Sequence, residues 1–130
     1  MRRILVADDD ADILDVLRFV LAQEGYEVLT TMDGLEAERI ALQEAPNLII
    51  IDAVMPGKSG WRVCESLKSS PGMGHIPIII LSGWSQTKDI ERGKEVGADD
   101  VVVKPFDIED LVRRVKALEE RSTGGSREQG

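Results

Sequence analysis

The amino-acid sequence predicts an α/β fold, a doubly wound parallel sheet with helices on both faces, and two observations support this prediction. Segments rich in β-branched residues alternate with longer segments of helical periodicity, as expected of parallel strands joined by crossover helices. Two of the strand segments, Leu48–Asp52 and Ile78–Leu81, are almost wholly apolar. Because such strands show no polar alternation, both of their faces must be covered, as in a sheet between two helical layers.

The strand segments are short and follow one another at regular intervals. They are predicted at Arg3–Ala7, Glu27–Thr31, Leu48–Asp52, Ile78–Leu81 and Val101–Val103. Each is rich in Val, Ile, Leu or Thr, the residue types that favour strands in a packed sheet.

Five helices separate and follow these strands, and they are predicted at Asp12–Glu24, Gly34–Glu44, Lys58–Ser69, Gln86–Val96 and Ile108–Glu120. The first and the last repeat apolar residues at helical spacing, and Gly25 marks the end of the first. The fourth has only Ile90 and Val96 as strong apolar anchors, and Gly93 in its interior costs ~1 kcal/mol relative to alanine. This weakly held helix is predicted to be the element that moves.

The length of the chain predicts one domain. Its 130 residues, 42% of them hydrophobic, suffice for one core and are too few for two ordinary domains. Residues 122–130 contain no apolar side chain and are predicted to be a flexible tail or the start of a linker. The predicted domain therefore spans residues 1–121.

Charge and composition exclude several classes of function. A net charge of −8 argues against a nucleic-acid-binding surface, because phosphate backbones are held by clustered Lys and Arg. No stretch is long and apolar enough for a membrane span or a signal peptide. A single cysteine, Cys64, excludes an internal disulfide and is predicted to be a buried apolar residue. A reducing, cytoplasmic location is expected.

Reactive side chains follow four of the predicted strands. Asp8 and Asp9 follow the first strand, Asp52 ends the third, Ser82 follows the fourth and Lys104 follows the fifth. Because the carboxyl ends of parallel strands meet at one edge of the sheet, we expect these side chains to share one crevice.

Three carboxylates in one crevice call for a compensating cation. Mg²⁺ suits them, since it is a hard ion that binds carboxylate and phosphate oxygens. One carboxylate oxygen of the cluster can then attack phosphorus and form an aspartyl phosphate. The ammonium of Lys104 and the hydroxyl of Ser82 would stabilise the charge on the transferred group.

Five segments carry a resemblance to a known family. They are Ile4–Asp10, Ile51–Gly57, Ile80–Gly83, Gly97–Asp100 and Val103–Phe106. From about Arg3 to Arg121 the chain resembles the receiver domains of two-component response regulators, and the joint spacing of the site residues is more specific than any one motif. The resemblance implies a flavodoxin-like sheet in the order 2-1-3-4-5 and a cis peptide bond between Lys104 and Pro105.

The resemblance also implies roles at the phosphorylation site. Asp52 would be the phosphoacceptor, assisted by Ser82 and Lys104, and the backbone N–H groups of Ala53 and Gly83 would help to cradle the phosphoryl group. The domain would be a signalling module rather than an enzyme, although it would assist its own phosphorylation and dephosphorylation.

The same resemblance implies the ligands of a Mg²⁺ ion. Asp9 would bind the ion directly and Asp8 through a metal-bound water. Asp52 and the backbone carbonyl of Val54 would complete the share of the coordination that the protein supplies.

The implied partners are those of a phosphorelay. A sensor histidine kinase or a histidine phosphotransfer protein would donate the phosphoryl group, and an output domain or effector protein would respond. Basic residues on the last helix resemble those of receivers that form phosphorylation-linked homodimers through helix 4, strand 5 and helix 5. No direct contact with nucleic acid or membrane is expected.

The chain departs from the family pattern at the position of its usual aromatic residue. Many receivers have Tyr or Phe three residues before the lysine, and its ring turns inward on phosphorylation, but Val101 stands there in this chain. The switch must therefore be read out differently. Apolar Val54, together with Trp84 beside the crevice, suggests a slowly hydrolysed aspartyl phosphate.

Two other functions compete with the phosphorylation switch. The Asp8-Asp9-Asp10 run also suits a haloacid-dehalogenase-like phosphatase, although the short chain and the position of Asp52 argue against it. A binding-only receiver that takes no phosphate is the second alternative, and the complete set of site residues argues against that.

Overall fold

Strands and helices alternate along the whole of the computed structural model. The strands are β1 (Arg3–Ala7), β2 (Glu27–Thr31), β3 (Leu48–Asp52), β4 (Ile78–Ser82) and β5 (Asp100–Val103). The helices are α1 (Ala11–Gln23), α2 (Gly34–Glu44), α3 (Gly60–Ser69), α4 (Gln86–Val96) and α5 (Ile108–Gln129). The structure describes residues 2–83 and 86–129, with the side chains of residue 86 and of residues 122–129 left out of the description.

The five strands form a single parallel sheet in the order β2-β1-β3-β4-β5. The predicted fold class and strand order are therefore confirmed. The order reverses at β1, which lies between β2 and β3, and this reversal opens a crevice at the carboxyl edge of the sheet.

The sheet separates two apolar layers, and successive residues of each central strand enter opposite layers. In β3, Leu48 and Ile50 pack on the side of α1 and α5, whereas Ile49 and Ile51 pack on the side of α2, α3 and α4. All four side chains are at most 1% exposed. This explains the absence of polar alternation in the sequence of β3.

Local capping explains where two of the helices begin. Asp10 caps α1, since its carboxylate accepts the N–H groups of Asp12 and Ile13. Ser59 caps α3 through a 3.2 Å bond from the N–H of Arg62, so this helix begins at Gly60 rather than at the predicted Lys58. The remaining predicted bounds agree to within one residue, except at the end of α5.

The end of α5 was predicted wrongly. The helix continues to Gln129, nine residues past the predicted end at Glu120, although Leu118 is the last residue of the apolar core. Once a helix is nucleated, each further residue adds a backbone hydrogen bond, so the backbone continues beyond the last packed side chain. Neither α5 nor any other helix in the described part of the chain is both long and apolar enough to cross a membrane.

Helix α4 packs closely on β5 because it has a glycine at the contact. A Cβ atom added at Gly93 would lie 2.4 Å from Cγ2 of Val101, far inside van der Waals contact. Gly93, which lowers helix propensity, is thus also the residue that lets α4 approach the sheet.

Candidate functional site

The carboxyl ends of four strands carry the predicted site residues. Asp52 and Ser82 are the last residues of β3 and β4, Asp8 follows β1 and Lys104 follows β5. The strand register aligns these ends, since Ala7 pairs with Ile51, Asp52 with Leu81 and Ser82 with Val103.

Lys104 bridges two of the carboxylates. Its Nζ atom donates to Oδ2 of Asp8 and to Oδ2 of Asp52, both at 2.9 Å. Burial of the ammonium lowers the pKa of Lys104, but the two carboxylates outweigh burial and the pKa is raised above its ordinary value. Lys104 is therefore protonated at neutral pH and holds a positive charge beside Asp52. The Lys104–Pro105 peptide bond is cis, as predicted.

Asp8, Asp9 and Asp52 form an acidic cluster beside this lysine. Each offers a carboxylate oxygen, and these oxygens all lie within 4.8 Å of one another. Asp8 is fully buried, Asp52 is 8% exposed and Asp9 faces solvent. Burial raises the pKa of Asp8; the N–H of Asp10 and the ammonium of Lys104 offset part of this effect, and repulsion from Asp52 adds to it.

The donor set of the cluster fits a hard divalent cation. Its three carboxylates face a single ammonium, which leaves an excess of negative charge, and it contains only oxygen ligands. Mg²⁺ binds such ligands and keeps several waters, and the exposed side of the cluster at Asp9 leaves room for them. The predicted contact of the Val54 carbonyl with the ion stays a prediction.

The expectation that the Ala53 N–H helps to cradle a phosphoryl group stays a prediction. In the structure this N–H donates to the carbonyl of Leu81 at 2.8 Å and continues the pairing of β3 with β4. The N–H of Val54 donates to Oδ1 of Asp52 at 3.2 Å. Among the described residues, no atom lies within 4 Å of the Cβ position at Gly83, apart from its chain neighbours, and its role in a cradle stays a prediction.

Ser82 has a partner that sequence reasoning missed. Its hydroxyl is fully buried and donates to the carboxylate of Asp89 on α4. Asp89 is itself only 8% exposed. The signal was present in the helical spacing, since Asp89, Gly93 and Val96 recur at i, i+4 and i+7 and all face inward.

Asp10 and Cys64 have structural roles outside the acidic cluster. Asp10 is the N-terminal cap of α1. Cys64 is buried, its Sγ donates to the carbonyl of Val96, and burial raises the pKa of its thiol to about 12. This confirms the prediction of a buried, apolar role. Trp84 lies outside the described residues.

The fold and the site together define a doubly wound α/β protein with an acidic, lysine-bridged crevice at the carboxyl edge of its sheet. The family model of the response regulator receiver domain matches residues 4–116, and the chain belongs to this family. Receiver domains are the phosphoacceptor modules of two-component signalling, so the chain is a signalling switch of this kind.

Individual relatives agree with this assignment. The chain is 38% identical over 122 residues to the DNA-binding dual master transcriptional regulator RpaA of Synechocystis sp.. The match covers 94% of this chain but only 51% of that protein, so the chain spans about half the length of this relative.

Solved structures give the same result. The receiver domain of the Francisella response regulator 1452 superposes with a TM-score of 0.87 at 31% identity, covering 94% of this chain and 99% of that one. The signal receiver domain of a signal transduction histidine kinase from Syntrophus aciditrophicus superposes with a TM-score of 0.85 at 34% identity, covering 92% and 91%.

Proposed function

We propose that Asp52 is the residue that accepts the phosphoryl group, in a reaction that requires Mg²⁺. The observation that carries this proposal is the Lys104 ammonium, held 2.9 Å from a carboxylate oxygen of Asp52 and 2.9 Å from one of Asp8. It brings a positive charge and the carboxylates of Asp52 and Asp8 together in one crevice, which supports roles for them as acceptor and metal ligand. When bound, Mg²⁺ would neutralise the oxygens of the incoming phosphoryl group.

The residues of the chain then divide the chemistry among them. A carboxylate oxygen of Asp52 forms the new bond to phosphorus as the N–P bond of a phosphohistidine breaks, and the bonding electron pair returns to the imidazole nitrogen. Asp8 and Asp9 would hold the metal ion with Asp52. The ammonium of Lys104 already contacts Asp52 and would stabilise the negative charge of the transferred phosphoryl group.

Backbone and hydroxyl donors would complete the cradle. The N–H of Val54 already donates to Asp52, and that of Gly83 follows Ser82 at the end of β4. The hydroxyl of Ser82 would have to turn away from Asp89 to reach the phosphoryl group.

The donor is proposed to be a histidine kinase or a histidine phosphotransfer protein. A groove of about 250 Å³ beside Lys104 is lined by apolar side chains of α1 and of the segment after β5, including Ile13, Val16 and Phe106. On the same helix Phe19 is 63% exposed. An apolar helical surface that borders the acceptor is the contact expected for a partner that brings a histidine to Asp52.

Mass spectrometry with a small acyl phosphate tests the acceptor. The protein with Mg²⁺ and acetyl phosphate is expected to gain the mass of one phosphoryl group, and EDTA is expected to prevent the gain. The Asp52→Asn variant should gain none, while Asp15→Asn, which removes an exposed acid of α1, should behave like the unmodified protein.

The same measurement separates the alternatives. Phosphate found on Asp8 by fragmentation would favour the phosphatase-like reading, and no gain of mass in the unmodified protein would favour a binding-only receiver. Either result would overturn the proposal.

We also propose that the aspartyl phosphate is hydrolysed slowly. The Val54 side chain lies two residues beyond the acceptor and is 62% exposed, so it presents an apolar surface to water that approaches Asp52. Val54→Asn would supply a polar group there and is expected to shorten the lifetime of the aspartyl phosphate. An unchanged lifetime would contradict this proposal.

The assembly and the context of the domain are further proposals. We infer a receiver unit of residues 1–121 followed by a connector to an output domain or effector, and a cytoplasmic setting. The net charge of −8 supports a unit that does not itself bind nucleic acid.

We also propose homodimerisation through α4, β5 and α5, which requires ion pairs within one chain to be exchanged for ion pairs between chains. Within one chain Arg114 already donates to Asp100 and Asp110 at 2.9 Å, so a dimer would have to exchange these partners. Sedimentation velocity with and without acetyl phosphate tests it, and a monomer in both states would refute it.

A further inference from the structure

Asp89 is a buried carboxylate on α4, and the other described acidic side chains of this helix face solvent. It lies in the first turn of α4 and is 8% exposed, whereas Glu91 and Glu95 on the same helix face solvent. The hydroxyl of Ser82 donates to it. A buried carboxylate is costly without such a hydrogen bond, so this contact stabilises the start of α4 against the sheet.

The Ser82 hydroxyl can serve one acceptor at a time. A serine hydroxyl has a single proton to donate, and the backbone of Ser82 is fixed in β4, where its carbonyl accepts the Lys104 N–H at 2.6 Å. Only the side chain is left to turn. Asp89 and a phosphoryl group on Asp52 would therefore compete for the same donor.

We propose that Asp89 is a positioning residue that holds the Ser82 hydroxyl away from Asp52 in the unphosphorylated protein and transmits its departure to α4. The proposal rests on the proposed phosphorylation of Asp52. In many receivers an aromatic residue at the position of Val101 responds to phosphorylation. We assign this response to the contact between β4 and α4.

Loss of the hydrogen bond from the Ser82 hydroxyl to Asp89 favours a movement of α4. When Ser82 turns to the phosphoryl group, Asp89 loses this hydrogen bond and faces about one additional negative charge at Asp52, because the phosphoryl group brings about −1.5 to −2 while the acylated carboxylate loses its own charge. Repulsion and desolvation then favour hydration of the carboxylate.

The structure leaves room for that movement. A cleft of about 660 Å³ adjoins Asp89 and is lined by residues of α3, α4 and the segment after β3. Lys88 and Arg92 line the same cleft, so the released carboxylate would turn toward cations. The first turn of α4 is the part expected to shift.

Hydrogen exchange of the amides of residues 86–96 tests the positioning role. In the unphosphorylated protein, Asp89→Ala and Ser82→Ala are each expected to speed exchange at the start of α4 by roughly fivefold, the effect of one ordinary net hydrogen bond. The double variant should be no faster than either single one, because both remove the same bond. Additive effects would overturn the proposal.

Phosphorylation with Mg²⁺ and acetyl phosphate tests the transmission. The unmodified protein is expected to show faster exchange at the start of α4 when phosphorylated, and Asp89→Ala should show little further change. Asp89→Ala should also be phosphorylated faster, by roughly fivefold, because the Ser82 hydroxyl no longer has to break its bond to Asp89. Asp89→Asn keeps an oxygen acceptor without the charge and should restore part of the slower rate.

Two controls separate the possible failures. Glu91→Ala removes an exposed acid of the same helix and should leave both the exchange and the phosphorylation rate unchanged. If the unmodified protein takes no phosphoryl group, the proposed function is overturned. The proposed transmission from Ser82 through Asp89 to α4 is then overturned as well. Normal phosphorylation with a full exchange response in Asp89→Ala would overturn the role of Asp89 alone.

Discussion

Replacement of Gly93 by alanine tests how α4 is held on the sheet. In an ordinary exposed helix this change stabilises by about 1 kcal/mol, because alanine has the higher helix propensity. Here the new Cβ would lie 2.4 Å from Cγ2 of Val101, about 1 Å inside ordinary contact. Val101 is β-branched and stiff at χ1, so its methyl group has little freedom to move aside. Overpacking of this kind costs about 1–3 kcal/mol.

The net expectation for Gly93→Ala is a lower free energy of unfolding, by about 1 kcal/mol, measured by urea denaturation followed by circular dichroism. Val101→Ala removes the methyl group that the new Cβ would meet. In this background the effect of Gly93→Ala on the free energy of unfolding should change sign. In that background Gly93→Ala is expected to stabilise by about 1 kcal/mol, which gives a coupling of about 1–3 kcal/mol between the two positions.

Glu95→Ala, at an exposed position of the same helix, reports the effect of propensity alone. Stabilisation by Gly93→Ala in both backgrounds would refute the reasoning, because it would mean that α4 does not approach Val101 closely enough for the two side chains to meet.

Three further changes test other parts of the packing. At pH 8 the native Cys64 thiol, with its pKa raised to about 12 from 9.0, should react with iodoacetamide roughly 1,000-fold more slowly than in urea, and equal rates would contradict its burial. Lys68→Met removes a side chain that donates to the carbonyls of Gly74 and Ile76 and to Asp99; we expect a loss of about 2 kcal/mol in urea denaturation, and no loss would refute the contacts. Gly60→Ala would place a Cβ 2.1 Å from the backbone oxygen of Asp52, so thermal unfolding should reveal a loss of about 3 kcal/mol or more, larger than that of Gly93→Ala.

The parts of the fold that depend on local pattern could be predicted from the sequence. The bounds of β1, β2 and β3 agree with the prediction because each strand is a short run rich in Val, Ile, Leu or Thr between polar turns. The gathering of Asp8, Asp52 and Lys104 was predictable too, since it follows from strand direction alone.

The parts that depend on tertiary pairing could not be predicted in the same way. Whether the Ala53 N–H is available depends on the pairing of β3 with β4, where it meets the Leu81 carbonyl. The inward direction of Asp89 was missed although Asp89, Gly93 and Val96 share one face of α4, because the helix has so few apolar residues that this face does not stand out in the sequence. The end of α5 was missed because Gly124 and Gly125 favour termination by propensity, which is a weak guide.

The contacts of α4 divide it into two halves that are held differently. Its C-terminal half has several anchors: Val96 packs on the core, the carbonyl of Val96 accepts from Cys64, and Gly93 meets Val101. In its N-terminal half Ile90 is 40% exposed, and among the described side chains Asp89 makes a polar contact to the sheet through Ser82.

Phosphorylation of Asp52 would draw away the Ser82 hydroxyl, which bonds to the N-terminal half of α4, and would leave the anchors of the C-terminal half in place. The helix should therefore pivot about Gly93 rather than detach as a whole. Val101 fits this arrangement, because its methyl group lies against Gly93 and so contributes to the pivot. A ring is not needed at position 101 when the movement begins one turn earlier on the helix, at Asp89.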